Sequence, residues 1–199
     1  NYSWFNLGGP AEYLFKPNNK NQLIEFLKKN KKDKLKLTVL GAGSNTLIRD
    51  NGVKGVVIKL GSGFSEVKLI GKNVIEAGAA VLDRKVSNFA KENGIGNLEF
   101  LSCIPGSLGG AVIMNSGCYG NDISKVLISI NVIDLINCKE KEIKREEIDF
   151  FYRGSSLSDQ LIITSVKLRG NQKAEKTIEI LQKEMIEKKK LSQPNQVKT

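Results

Sequence analysis

Ile104-Pro105-Gly106-Ser107-Leu108-Gly109-Gly110-Ala111 runs on into Met114-Asn115-Ser116-Gly117-Cys118-Tyr119-Gly120, setting five glycines within the fifteen residues from 106 to 120. Glycine has no Cβ, so a backbone this rich in it lets a pyrophosphate or a flat ring lie against bare peptide groups. A crossing of two backbones needs the same closeness, but it does not require the small polar residues interleaved here.

On both sides of this stretch the pattern is mixed helix and strand. Upstream, Leu82, Val86, Phe89 and Ala90 fall on one helical face, and Asn93-Gly94 supplies a residue suited to ending the helix. Before it, residues 67–70 and 74–77 read as a hairpin across Gly71-Lys72-Asn73. Downstream, residues 126–136, 139–144 and 161–168 alternate as antiparallel strands do. This central region therefore reads as an α+β lobe spanning residues 61–170.

A smaller lobe precedes it, in residues 1–60. Leu23, Phe26 and Leu27 recur at helical spacing after the capping stretch Pro17-Asn18-Asn19, and the apolar runs 35–40 and 55–60 enclose a loop over residues 41–51. After Gly170 the composition turns to Lys and Glu, with Ala174, Ile178, Leu181 and Met185 in helical phase up to Ser192-Gln193-Pro194. Residues 171–199 are expected to be a helix and linker leading toward a substrate domain that lies beyond this sequence, and the absence of an initiating Met suggests truncation at the front as well.

Composition excludes several functions. With 40% hydrophobic residues in 199, the chain can bury a true core, while its longest apolar stretch, residues 126–136, is interrupted by Ser129, Asn131 and Asp134. That falls short of the roughly 18 continuous apolar residues of a membrane helix, and no signal peptide is legible. The net charge of +10 is local in part: six Lys and one Asp between residues 28 and 36 supply +5, as a solvated helix end would. No helix-turn-helix or aromatic-interleaved basic pattern accompanies it, so nucleic acid is not an expected partner. The three cysteines, Cys103, Cys118 and Cys138, form neither a disulfide framework nor a metal motif, which suits a reducing cytoplasm. The chain has no histidine, which removes the commonest general base, the commonest zinc ligand and any histidyl tether to a cofactor. A monomer without a metal is expected.

Two further segments are candidates for chemistry. Gly41-Ala42-Gly43-Ser44-Asn45-Thr46 leaves a strand with two glycines followed by small polar residues, a pattern that suits an anion on backbone N–H groups and equally suits a plain tight turn. It is not a dinucleotide fingerprint, because Thr46 occupies the third glycine position and no long helix is legible after it. The other is Phe150-Phe151-Tyr152-Arg153-Gly154-Ser155-Ser156, whose Arg153 guanidinium suits a carbonyl or carboxylate, or a structural role capping a sheet edge or pairing with Asp149.

In order and spacing these motifs resemble the UDP-N-acetylenolpyruvoylglucosamine reductases. Trp4-Phe5-Asn6-Leu7-Gly8-Gly9-Pro10-Ala11-Glu12 is similar to that family's opening motif, and the 41–47 loop to its Gly-x-Gly-Ser-Asn loop. Leu98-Glu99-Phe100 leads into its Ile-Pro-Gly-x-x-Gly-Gly-Ala and Met-Asn-x-Gly-x-Tyr-Gly pair; Tyr152-Arg153-x-Ser155 and Gln193-Pro194 complete the series. The resemblance implies an α+β, two-lobed FAD-binding domain of the vanillyl-alcohol-oxidase (PCMH) type, with noncovalent FAD between the lobes. Gly41, Ala42, Gly43, Ser44, Asn45, Thr46, Pro105, Gly106, Ser107, Gly109, Gly110, Asn115 and Gly117 would then hold the cofactor. It further implies NADPH as hydride donor, reduction of the enolpyruvyl nucleotide in peptidoglycan precursor synthesis, and Arg153 as the residue that stabilises the enolate. The family's proton donor, a serine or cysteine, and its glutamate belong to segments after Gln-Pro, so this chain is expected to be inactive alone. Cys103 and Cys118 stand where the family has smaller residues, and a non-glycine at 103 questions the local loop geometry. Two alternatives are another FAD-dependent oxidoreductase of the same fold and a noncatalytic flavin-binding module.

Overall fold

The structure, a computed structural model, describes residues 7–193. Trp4, Phe5 and Asn6 of the opening motif, and Pro194 with the tail 195–199, lie outside the described residues.

Fourteen residues of the sequence build the parallel core of the first lobe. Strand β1 (Ala11–Phe15) leads into helix α1 (Lys20–Asp33), then β2 (Leu37–Val39) and β3 (Val53–Ile58), in the spatial order β1-β3-β2 with both pairings parallel. Asn19 caps α1 by accepting the N–H of Gln22 at 2.9 Å, which occupies one donor that a helix start leaves open. Leu23 and Leu27 are buried, and Phe26 stacks on Phe15 of β1 with ring centroids 4.1 Å apart. The lysine run ends this helix and is exposed throughout, a solvated face complementing the helix C-terminus. Sequence periodicity does not reveal β1, because it is a short edge strand whose central residues Glu12, Tyr13 and Leu14 are exposed.

The second lobe is a five-stranded sheet with helices on one side. Its elements in chain order are β4 (Val67–Gly71), β5 (Val74–Gly78), α2 (Asp83–Glu92), β6 (Ile95–Gly96), α3 (Leu108–Ile113), β7 (Gly117–Cys118), β8 (Asn121–Asp122), β9 (Leu127–Asp134), β10 (Glu140–Lys144), β11 (Phe150–Phe151), β12 (Gly154–Ser155), β13 (Leu161–Arg169), β14 (Asn171–Gln172) and α4 (Glu175–Ser192). The large sheet runs β10-β9-β13-β5-β4 and is antiparallel throughout. Three small two-stranded pairs, β6 with β14, β7 with β8 and β11 with β12, pin the connections. The main core gathers Val86 and Ala90 of α2, Leu108 and Val112 of α3 and Ile130, Val132 and Val166 of the sheet. Leu82, read as part of the apolar helix face, instead precedes the helix and is 57% exposed at the cleft described below.

Helix α4 lies against this lobe. Its buried Gln182 donates from Nε2 to the carbonyl oxygen of Ser87 at 3.1 Å and to Ser87 Oγ at 2.8 Å, while that hydroxyl donates to Leu98 O at 2.9 Å. An amide in this environment would destabilise the core if unpaired, so the bonds fix the helix in one register. Nearby, buried Glu99 pairs with Lys173 at 2.7 Å.

The lobes are joined by more than chain connections. Leu23 and Leu27 of α1 and Ile58 of β3 share a core with Ile133 of β9, Ile162 of β13 and Cys138. Lys20 and Glu140 form an ion pair across the same junction at 2.5 Å. These contacts tie the two lobes to each other.

Candidate cofactor site

A cleft of about 1790 Å³ lies where the two glycine-rich segments meet. That volume exceeds the roughly 300–1,000 Å³ of a drug-sized site and suits an extended dinucleotide. Residues 41–46 and Pro105, Gly106, Ser107, Gly109, Gly110 and Gly117 all line it, as does Arg153. The segments, some sixty residues apart in sequence, touch at Ser107. The Ala42 N–H donates to Ser107 Oγ at 3.2 Å, and a Cβ placed on Gly41 would lie 2.5 Å from that oxygen. Glycine at position 41 thus lets the loops close on each other without displacing the Ser107 hydroxyl.

The 41–46 segment is a turn with Gly43 at φ +75°, and no helix follows it. Among the described residues, the N–H groups of Gly43, Ser44, Asn45 and Thr46 have no hydrogen bond to the chain. A row of unengaged N–H donors on a turn with a left-handed residue is able to accept an anion, since each retains a donor for an oxygen. Lys59 stands at the base of this turn, its Nζ donating to Gly41 O at 2.5 Å. Burial, and then the charge of Lys16, lower the pKa of this ammonium, so a nearby anion would relieve an existing strain. Sequence reasoning missed Lys59 because nothing in the residues around it marks it as facing a cleft.

In the other segment the sequence reads as loop what the structure makes a short helix, α3. Leu108 N–H donates to Val81 O and Gly109 N–H to Ala79 O, both at 2.9 Å, so the helix starts against the end of β5. A Cβ on Gly109 would meet Ala79 at 3.0 Å, whereas one on Gly110 would meet only Ser107 Oγ, at 3.6 Å. Gly109 therefore serves packing and Gly110 leaves bare backbone on the cleft. Asn115, expected to bind the cofactor, is not among the residues that line the cleft. It is 8% exposed, its Nδ2 donates to Phe151 O at 3.3 Å and its Oδ1 accepts from the Ser124 N–H at 3.0 Å. With both ends of the amide used, Asn115 braces the wall from behind.

Arg153 sits at the tip of the β11–β12 hairpin, at φ +59°, a backbone conformation that costs a non-glycine residue on the order of 1 kcal/mol or more. Its guanidinium lies 4.9 Å from the Tyr152 ring centroid and donates to Gly117 O at 3.2 Å. Among the described residues it makes no ion pair, so the alternative of a partner in Asp149 does not hold. The hairpin is anchored to α3 by the Ser155 hydroxyl, which donates to Ile113 O at 3.0 Å. Arg153 thus presents an uncompensated cation at one end of the cleft.

Cys103 and Cys118 line the same end. Cys103 does not adopt a positive φ, so the loop forms without a glycine there. Burial, reinforced by Cys103, pushes the Cys118 thiol up to about 12, which keeps it protonated and a poor nucleophile. Above them Lys189 of α4 donates to Cys103 O at 2.6 Å. No group of metal-ligating side chains occurs among the described residues.

Comparison with known proteins agrees with this geometry. Residues 11–136 match the FAD binding domain family, which defines the class: a domain built in two α+β lobes of the vanillyl-alcohol-oxidase type. The UDP-N-acetylenolpyruvoylglucosamine reductase of Pelagibacter ubique is 45% identical over 99% of this chain, and that of Caulobacter sp. strain K31 is 40% identical over the whole of this chain. The crystal structure of the Thermus caldophilus UDP-N-acetylenolpyruvylglucosamine reductase superposes with a TM-score of 0.84 at 30% identity, covering 98% of this chain and 68% of that one. The chain belongs to the UDP-N-acetylenolpyruvoylglucosamine reductase family and contains its FAD-binding domain. It spans 65% of the Pelagibacter protein and 64% of the Caulobacter protein.

Proposed function

We propose that the chain binds FAD noncovalently in the inter-lobe cleft and serves the NADPH-dependent reduction of UDP-N-acetylenolpyruvoylglucosamine to UDP-N-acetylmuramate. The observation that carries this reading is the closure of the 41–46 turn onto Ser107, which gathers unengaged backbone donors on one wall of a dinucleotide-sized cleft. Gly43, Ser44, Asn45 and Thr46 would hold the pyrophosphate with their N–H groups, and Lys59 would supply opposite charge at the base. Gly106 and Gly110 would let the ring system and ribityl chain approach the backbone closely.

Two features support a noncovalent complex. The chain contains no histidine, and the Cys118 thiol is held in its unreactive protonated form. When bound, FAD would supply the hydride chemistry between NADPH and the enolpyruvyl group. Arg153, unpaired by any carboxylate and aimed at the cleft, would hold the substrate carboxylate and stabilise negative charge as it develops on the adjacent carbon. The proton donor and glutamate that complete the reaction are expected outside these 199 residues.

The test is direct. The purified chain should take up FAD from solution with loss of flavin fluorescence, and heat denaturation followed by filtration should release all yellow colour. Colour retained on the polypeptide would refute noncovalent binding, and no uptake would refute flavin binding.

A further inference from the structure

Behind Gly106 the structure holds a carboxylic acid that none of the roles above explains. Asp83, the first residue of α2, has 0% exposure, and neither of its oxygens has a hydrogen-bond partner among the described residues. It is fixed in place by its own backbone, whose N–H donates to Gly106 O at 3.1 Å, while the flanking Leu82 bridges to Ser107. A Cβ placed on Gly106 would lie 2.8 Å from Asp83 Oδ2 and 3.7 Å from Ser44 Oγ. The carboxyl and both cofactor loops therefore converge on one point of the cleft wall.

We propose that Asp83 is a proton-bearing positioning residue for the diphosphate of a bound dinucleotide: neutral, it admits the anion beside Gly106 and Ser44, and ionised, it expels it. The inference rests on the FAD reading above and adds a proton to it. A buried carboxylate without hydrogen bonds is strongly disfavoured against its neutral form. Burial raises the Asp83 pKa to about 8, and no charged group contributes to the shift. Arg84 and Lys85 follow Asp83 on α2, Lys59 stands below the 41–46 turn, Lys189 lies over Cys103 on α4 and Arg153 occupies the other end of the cleft. Neither residues 41–47 nor residues 104–113 contain a charged side chain. A negative charge on Asp83 would thus confront a phosphate with nothing between them to neutralise it.

The consequence is proton-linked flavin binding. With Asp83 neutral in the complex, FAD affinity should be level from pH 6 to about 7.5 and should then weaken toward tenfold per pH unit above about 8. Lys59 loses charge in the same direction, so the comparison with a variant carries the test. Asp83→Asn keeps the shape of the neutral acid and cannot ionise; Asp83→Ser is a second, smaller neutral replacement. Flavin fluorescence quenching by the 199-residue chain, measured between pH 6 and 9.5, should give Kd values for the variants that rise markedly less at alkaline pH than those of the unaltered chain. Urea unfolding of the flavin-free protein gives an independent readout. A folded-state pKa raised above the unfolded one contributes stability that is full below about pH 4 and is lost as pH rises toward about 8, so the unaltered chain should lose stability across that window and Asp83→Asn should not. Parallel pH profiles of FAD affinity in the unaltered and variant chains would overturn the inference while leaving FAD binding intact. Absence of flavin binding at every pH would overturn both.

Discussion

Replacing Gly41 with Ala places a methyl group 2.5 Å from Ser107 Oγ, about 1 Å inside ordinary contact. Ser107 is buried and cannot swing into solvent, so the two loops must separate or the serine must turn and release the Ala42 N–H it accepts at 3.2 Å. Losing that bond costs about 1 kcal/mol, and misaligning the turn should weaken FAD by roughly tenfold, equivalent to about 1.4 kcal/mol. The next atom the methyl would meet is Ser107 Cβ at 3.9 Å, an ordinary contact. Ser107→Ala therefore removes the clash as well as the bond, and in that background Gly41→Ala should cost little more. The double variant should behave much like Ser107→Ala alone, with a coupling energy of about 1 kcal/mol. FAD titration and urea denaturation of the four proteins measure both quantities. Additive costs, or unaltered flavin affinity in Gly41→Ala, would refute the claim that the loops close on each other through this contact.

Three other expectations follow from the same geometry. In a protein extended to the full length of its relatives, Arg153→Ala should lower turnover by about 10²-fold while flavin content holds, because one preorganised donor is lost; stopped-flow traces should show substrate-driven reoxidation slowed more than NADPH-driven reduction. Lys59→Gln should weaken FAD and flatten the salt dependence of its binding, and an unchanged salt slope would remove Lys59 from the site. Leu27→Ala should destabilise the chain by about 2–5 kcal/mol in urea melts, since that side chain is 2% exposed in the core shared by the lobes, and a loss confined to the first lobe would show that the lobes unfold separately.

Local signals account for much that was legible in the sequence. The Asn19 cap, the Leu23 and Leu27 spacing, the 67–71 and 74–78 hairpin and the alternation in β9 and β13 are written in residues close enough to dictate their own backbone. The glycine pairs of both loops and Arg153 could be singled out on residue type, and the order of motifs supplied the family. The α3 helix was hidden because two of its six residues are glycines, poor helix formers that are tolerated only where the turn is held by Val81 and Ala79. Asn115 reads as a ligand because it is polar within a glycine-rich run, and only the folded hairpin at Phe151 shows that its amide also bonds internally.

What the sequence by itself determined was therefore most of the long helices and strands, the absence of histidine chemistry and the two loops able to approach a cofactor. Tertiary structure alone decided that Gly41 and Ser107 touch, that Lys59 stands beneath an unengaged row of N–H groups, and that Asp83 is sealed behind Gly106 without a partner. Each of those facts depends on residues roughly twenty to sixty-five positions apart. Burial and charge at such distances are properties of the packed chain, and no local pattern encodes them.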